Sequence, residues 1–133
     1  MIERLTIDRL SRVEIVAVAS AALLALGAVL SYPHSSRGAP PSVVVIAREF
    51  LFDPKGITVG TGAVTFVVKN QGEIDHNFVL EAPGGETLAQ ITYIEPGQMK
   101  TVTATLSAGN YTIYCSLPGH REAGMVATIR VTP

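Results

Sequence analysis

Residues 99–131 read MKTVTATLSAGNYTIYCSLPGHREAGMVATIRV. Successive side chains of a strand point to opposite faces, and this stretch shows that alternation three times. From Met99 to Leu106, the residues Val102, Ala104 and Leu106 take one face and Thr101, Thr103 and Thr105 the other. From Met125 to Val131, the residues Met125, Ala127, Ile129 and Val131 lie opposite Thr128 and Arg130. Between these two segments Tyr111, Ile113 and Cys115 form a further inward row, introduced by the turn residues Ala108-Gly109-Asn110. A helix would need apolar residues recurring at intervals of three and four; strict alternation means strands with one buried face.

Working outward, the same pattern recurs at Val43–Arg48, Ile57–Val59, Val64–Asn70 and Asn77–Glu81. Turn signals separate these runs at Asp53-Pro54, Gly60 to Gly62, Asn70 to Gly72, Pro83-Gly84-Gly85 and Pro96-Gly97. Short β-branched runs with such punctuation predict an all-β sandwich or barrel over residues 42–133. The segment from Ala82 to Gln98 is the least regular and reads as a short helix or as a loop crossing between sheets.

The chain has 133 residues, enough for one domain and a short extra segment. Its net charge is −1, so no basic field points to nucleic acid. With 47% hydrophobic and 16% charged residues it is not a disordered chain. A single cysteine forbids an intrachain disulfide and a zinc site built from several thiolates. The mean hydropathy of +0.35 has a local cause. Ile15 to Leu30 (IVAVASAALLALGAVL) carries no charge. As a helix rising about 1.5 Å per residue it approaches the ~30 Å hydrocarbon core of a bilayer. The expectation is a transmembrane anchor over 13–32, with a cleaved secretory signal as the other reading. Arg4, Arg9 and Arg12 precede the segment and only Arg37 lies close behind it. That bias leaves residues 1–12 in the cytoplasm and exports the rest, to a periplasmic or extracellular face. Residues 33–41 are a Pro- and Ser-rich linker, in which His34 reads as a solvated side chain.

The densest chemistry is Cys115-Ser116-Leu117-Pro118-Gly119-His120-Arg121-Glu122-Ala123-Gly124-Met125. It offers a thiolate former, an imidazole and a thioether, bent back by Pro118-Gly119. His76 heads another strand and shares the inward parity of Phe78 and Leu80. Singly, a cysteine is more often a small buried hydrophobe and a methionine core. Together, two imidazoles, one thiolate and one weak thioether match the trigonal His₂Cys site with a long axial Met that holds copper for electron transfer. Zinc would not need a thioether, and a catalytic zinc would keep a position open for water. A Cys115–His120 nucleophile pair would need an oxyanion hole and an open cleft, and a strand-end cysteine beside a methionine ligand argues against that.

On the Asp75-His76-Asn77-Phe78 element and the Cys115-x4-His120-x4-Met125 loop, residues 42–133 resemble the cupredoxin family, the small blue copper proteins of plastocyanin, azurin and auracyanin type. Glu49-Phe50-Leu51-Phe52-Asp53-Pro54 is also similar to the early segment of small bacterial members. The resemblance implies a Greek-key β-sandwich with one copper ion at one end. It implies His76, Cys115 and His120 as equatorial ligands and Met125 as the axial one. It further implies that His120, with Leu117 and Pro118 around it, reaches an apolar surface patch and passes electrons. Asp75, standing where azurin-like proteins have glycine, and the charges of Arg121 and Glu122 beside His120 are departures from the pattern. Asn77 is expected to pin the ligand loop, Ser116 to bond near the Cys115 sulfur, and Asp75 to support His76.

The resulting expectation is a one-electron carrier that works between a redox protein donor and acceptor, cytochrome or oxidase-like, tethered to a membrane. Copper sequestration or delivery is the alternative, although Met-rich or His-rich tracts are lacking. An enzyme with further copper centres would need histidines beyond His76 and His120, and a binuclear centre of the cytochrome-oxidase type a second cysteine. No small-molecule substrate is expected.

Overall fold

The computed structural model describes residues 38–133. The expected cytoplasmic segment, the apolar segment over 13–32, residues 33–37 of the linker and His34 lie outside the described residues. Among those described, no helix is long and apolar enough to cross a membrane.

The described chain is all strand and turn. In order the strands are β1 (Ser42–Arg48), β2 (Leu51–Asp53), β3 (Gly56–Gly60), β4 (Gly62–Asn70), β5 (His76–Glu81), β6 (Thr87–Ile94), β7 (Met99–Leu106), β8 (Gly109–Tyr114) and β9 (Val126–Thr132). They form two sheets, ordered β2-β1-β4-β7 and β3-β9-β8-β5-β6. Hairpin neighbours β1–β2, β5–β6 and β8–β9 stay within one sheet, and every other connection changes sheet. The sheet changes let β1 lie parallel to β4, and β3 parallel to β9, without a helical crossover.

The alternation that betrays the strands also builds the core. Val45, Ala47, Phe52, Val64, Phe66, Val68, Ala104 and Leu106 face inward from the first sheet. Phe78, Leu80, Tyr111, Ile113, Ala127, Ile129 and Val131 meet them from the second. Phe78 lies between the sheets, 5.5 Å from the Phe66 ring and 6.2 Å from that of Phe52, centroid to centroid. Burying a side chain of this size contributes about 1.5–3 kcal/mol over leaving it in water.

Two segments differ from the sequence reading. Ala82 to Gln98 is neither helix nor plain crossing loop, because it holds the edge strand β6, paired antiparallel to β5. Only Ile91 and Ile94 of β6 are buried. An edge strand with so few core contacts shows no clean alternation, and a shift in register against β5 blurs it further. Leu51–Asp53 is likewise a strand, too short to display any period, and it follows β1 through a two-residue turn.

Candidate metal centre

The register of β5 against β8 brings distant residues together. Val79 pairs with Tyr114 and Leu80 with Ile113, so the start of β5 and the end of β8 share one end of the sheet. His76 opens β5, and Cys115 follows β8 directly. The loop from Cys115 to Met125 then closes the β8–β9 hairpin. The Cys115 N–H donates to Met125 O at 3.2 Å, and the Met125 N–H donates to His120 O at 3.0 Å. Gly124, at φ +102°, makes the last bend in a conformation that L side chains avoid.

Three of the four expected donors converge. One ligand atom each from His76, Cys115 and His120 lies within 4.8 Å of the others. Cys115 Sγ is 3.4 Å from His120 Nδ1, and the two imidazole centroids are 5.3 Å apart. His76 and Cys115 are fully buried and His120 is half-buried. Met125, the fourth, is also fully buried, where the loop returns to β9.

The imidazole of His76 tests whether a metal fits. Its Nδ1 and Nε2 are, among the described residues, the buried side-chain polar atoms without a hydrogen-bond partner. An unsatisfied buried polar group costs about 1–3 kcal/mol, so an imidazole kept here needs a partner that is not protein. Burial pushes its pKa below the free value, and the neighbouring His120 adds to that, against weaker pulls from Glu49 and Asp75. The site therefore favours a neutral imidazole, the form that binds metal. Two imidazoles, a cysteine sulfur and a buried thioether at one sheet end match copper in donor type and number.

The surroundings hold these donors in place. The backbone N–H of Asn77 points at Cys115 Sγ, 3.4 Å away. The Asn77 side chain donates to Ser116 Oγ at 2.8 Å and accepts from the Ser116 N–H at 2.7 Å, so it pins the ligand loop as expected. Ser116 differs from expectation: its hydroxyl bonds to Asn77, and the sulfur receives a backbone N–H instead. Asp75 differs too. It accepts a 2.5 Å hydrogen bond from Tyr93 Oη, which raises the Tyr93 pKa, and it makes no bond to His76.

Two further neighbours escaped the sequence. The Arg121 guanidinium lies 3.9 Å over the Tyr114 ring and 3.7 Å from Glu81 Oε1, a cation–π contact that ties the ligand loop to β8 and β5. Phe50 meets His120 edge to face, with centroids 5.2 Å apart. Its φ of +56° is the left-handed conformation, which costs an L-residue roughly 1–2 kcal/mol. No spacing in the sequence marks either contact: Arg121 folds back from the ligand loop onto two neighbouring strands of one sheet, and Phe50 meets His120 only through the packing of the two sheets.

A model of the copper binding proteins of the plastocyanin/azurin family matches residues 41–132. The chain is 32% identical over 105 residues to the copper-resistant cuproprotein CopI of Rubrivivax gelatinosus, covering 66% of this chain and 64% of that protein. It is 32% identical over 138 residues to a chloroplastic plastocyanin of Oryza sativa subsp. indica, covering 98% of this chain and 82% of that protein. Among solved structures, the reduced auracyanin of the photosynthetic bacterium Roseiflexus castenholzii is similar, with a TM-score of 0.64 and 25% identity over 72% of this chain and 100% of the other. The chain belongs to the plastocyanin/azurin family of copper binding proteins, the cupredoxins, and its cofactor is copper.

Proposed function

We propose that the protein is a one-electron carrier with a single type 1 copper, which His76, Cys115, His120 and Met125 would hold. The carrying observation is the convergence of one buried thiol and two imidazoles within 4.8 Å, one of the imidazoles having no other partner. Copper bound there would pass between Cu(I) and Cu(II), taking up and giving back one electron. The chain's own contribution is to keep the donors still. The strands fix His76 and Cys115, Asn77 ties both loops, and burial excludes water from the sulfur. Little has to move when the charge changes, and that favours fast transfer. His120, the least buried of the three clustered donors, is the route to a donor or acceptor protein.

The apolar run at 15–30 and the arginines before it support a membrane tether with the copper domain on the extracytoplasmic face. Such a tether would raise the effective concentration of the carrier near membrane-bound redox partners. The likeness to CopI supports a second reading, copper sequestration or delivery. The two differ in copper exchange. A carrier keeps its ion against a competing chelator while exchanging electrons fast between its own copies, whereas a delivery protein gives the ion up readily.

The test is to load the full chain with Cu(II). Intense visible charge-transfer absorption and a reversible one-electron wave are expected, and Cys115→Ser abolishes the colour. Colourless copper binding, or preferential binding of zinc, overturns the assignment.

A further inference from the structure

Arg48 pairs with Leu51 across the β1–β2 hairpin, so Glu49 and Phe50 alone make the turn. Phe50 stands at its second central position with φ +56°, where a tight turn normally takes glycine or asparagine. A bulky aromatic is a poor choice there on backbone grounds. Core packing does not explain it either, because Phe50 remains 43% exposed. The turn is nonetheless firmly held. The Glu73 N–H donates to Glu49 Oε1 at 2.5 Å, Arg48 Nη2 donates to Gln71 Oε1 at 2.9 Å, and the Gln71 N–H donates to Ala47 O at 2.9 Å. These bonds fasten the turn to the segment that leads into His76. From that anchorage the Phe50 ring reaches the His120 imidazole, which in turn meets His76. Strain retained beside a functional site points to a role for the strained residue.

We propose that Phe50 is a positioning residue for the copper centre: its ring, braced by the turn that is tied to the His76 loop, fixes the orientation of the His120 imidazole and covers part of its solvent side. This rests on the carrier reading above. A fixed imidazole needs less rearrangement when the electron arrives, and excluding water disfavours the more highly charged Cu(II).

The test compares Phe50→Asn, whose backbone accepts the turn, with Phe50→Tyr, which keeps the ring. Phe50→Asn is expected to melt no lower than the parent in the metal-free state. Loaded with copper, it is expected to show a lower midpoint potential and electron self-exchange slower by about tenfold, the effect of a modest added barrier. Its metal-free form should show His120 ring resonances that are broadened or shifted in NMR spectra. Phe50→Tyr restores all three readouts. Unchanged potential, self-exchange and His120 resonances in Phe50→Asn overturn the proposal, as does failure of that variant to fold, which would make the ring a plain packing element. If the parent shows no one-electron wave with copper, the carrier reading fails, while the His120 resonances of the metal-free proteins still decide the role of Phe50.

Discussion

Replacing Asn77 by alanine should loosen the ligand loop by a predictable amount. The side chain makes two hydrogen bonds, to Ser116 Oγ at 2.8 Å and from the Ser116 N–H at 2.7 Å. Each has a net worth of about 1 kcal/mol, so Asn77→Ala should cost roughly 2 kcal/mol. For a unit of this size that lowers the melting temperature by about 8–16 °C. Ser116→Ala removes only the hydroxyl bond and should cost about 1 kcal/mol. Because the two residues share that bond, the double variant should be no less stable than Asn77→Ala alone, a coupling of about 1 kcal/mol. The assay is urea unfolding of the metal-free proteins, since copper bound only to the native state would add its own binding free energy. An unchanged denaturant slope with a shifted midpoint identifies the effect as stability. Strictly additive losses, or an Asn77→Ala cost below about 0.5 kcal/mol, the size of an ordinary surface substitution, would refute the reasoning.

Two further outcomes follow from the donors. The folded-state pKa of His76 is depressed, so between that value and the unfolded value of about 6.5 the unfolded chain binds more protons. This group's contribution to metal-free stability is therefore intact above about pH 6.5 and is lost as pH falls through the folded-state value. His76→Leu should remove that component of the pH dependence and, by deleting two unpartnered buried nitrogens, stabilise the metal-free protein by about 1–3 kcal/mol while abolishing the visible band. Denaturant midpoints at neutral and mildly acidic pH check both, and a less stable leucine variant contradicts the account. Met125→Leu, a near-isosteric change costing less than about 1.5 kcal/mol in the metal-free state, should retain the colour and raise the reduction potential, because a thioether donor to Cu(II) is lost. A voltammetric potential unchanged from the parent would remove Met125 from the ligand set.

Much of this was legible before any tertiary structure. The alternation of Val102, Ala104 and Leu106, and of Met125, Ala127, Ile129 and Val131, announces buried strand faces, because a half-buried strand must repeat every second residue. β6 was hidden for the converse reason: an edge strand buries little, so selection for apolar alternation is weak there. Cys115, His120 and Met125 were readable as one loop by their spacing, and the inward parity of His76 linked it to them. The partners of Ser116 and Asp75 were misjudged because side-chain hydrogen bonds depend on ångström-scale placement that parity does not supply.

The amino-acid order by itself determined the fold class and the donor types that select copper, since hydrophobic period and ligand chemistry are properties of residues in sequence. Only the tertiary structure decided that the Asn77 N–H faces the sulfur, that Arg121 lies over Tyr114, and that Phe50 meets His120. The first and last of these contacts join segments remote in the chain, which meet through the register of β5 on β8 and the packing of one sheet on the other; the second depends on how the Cys115–Met125 loop folds back on β8, and no local pattern encodes any of the three.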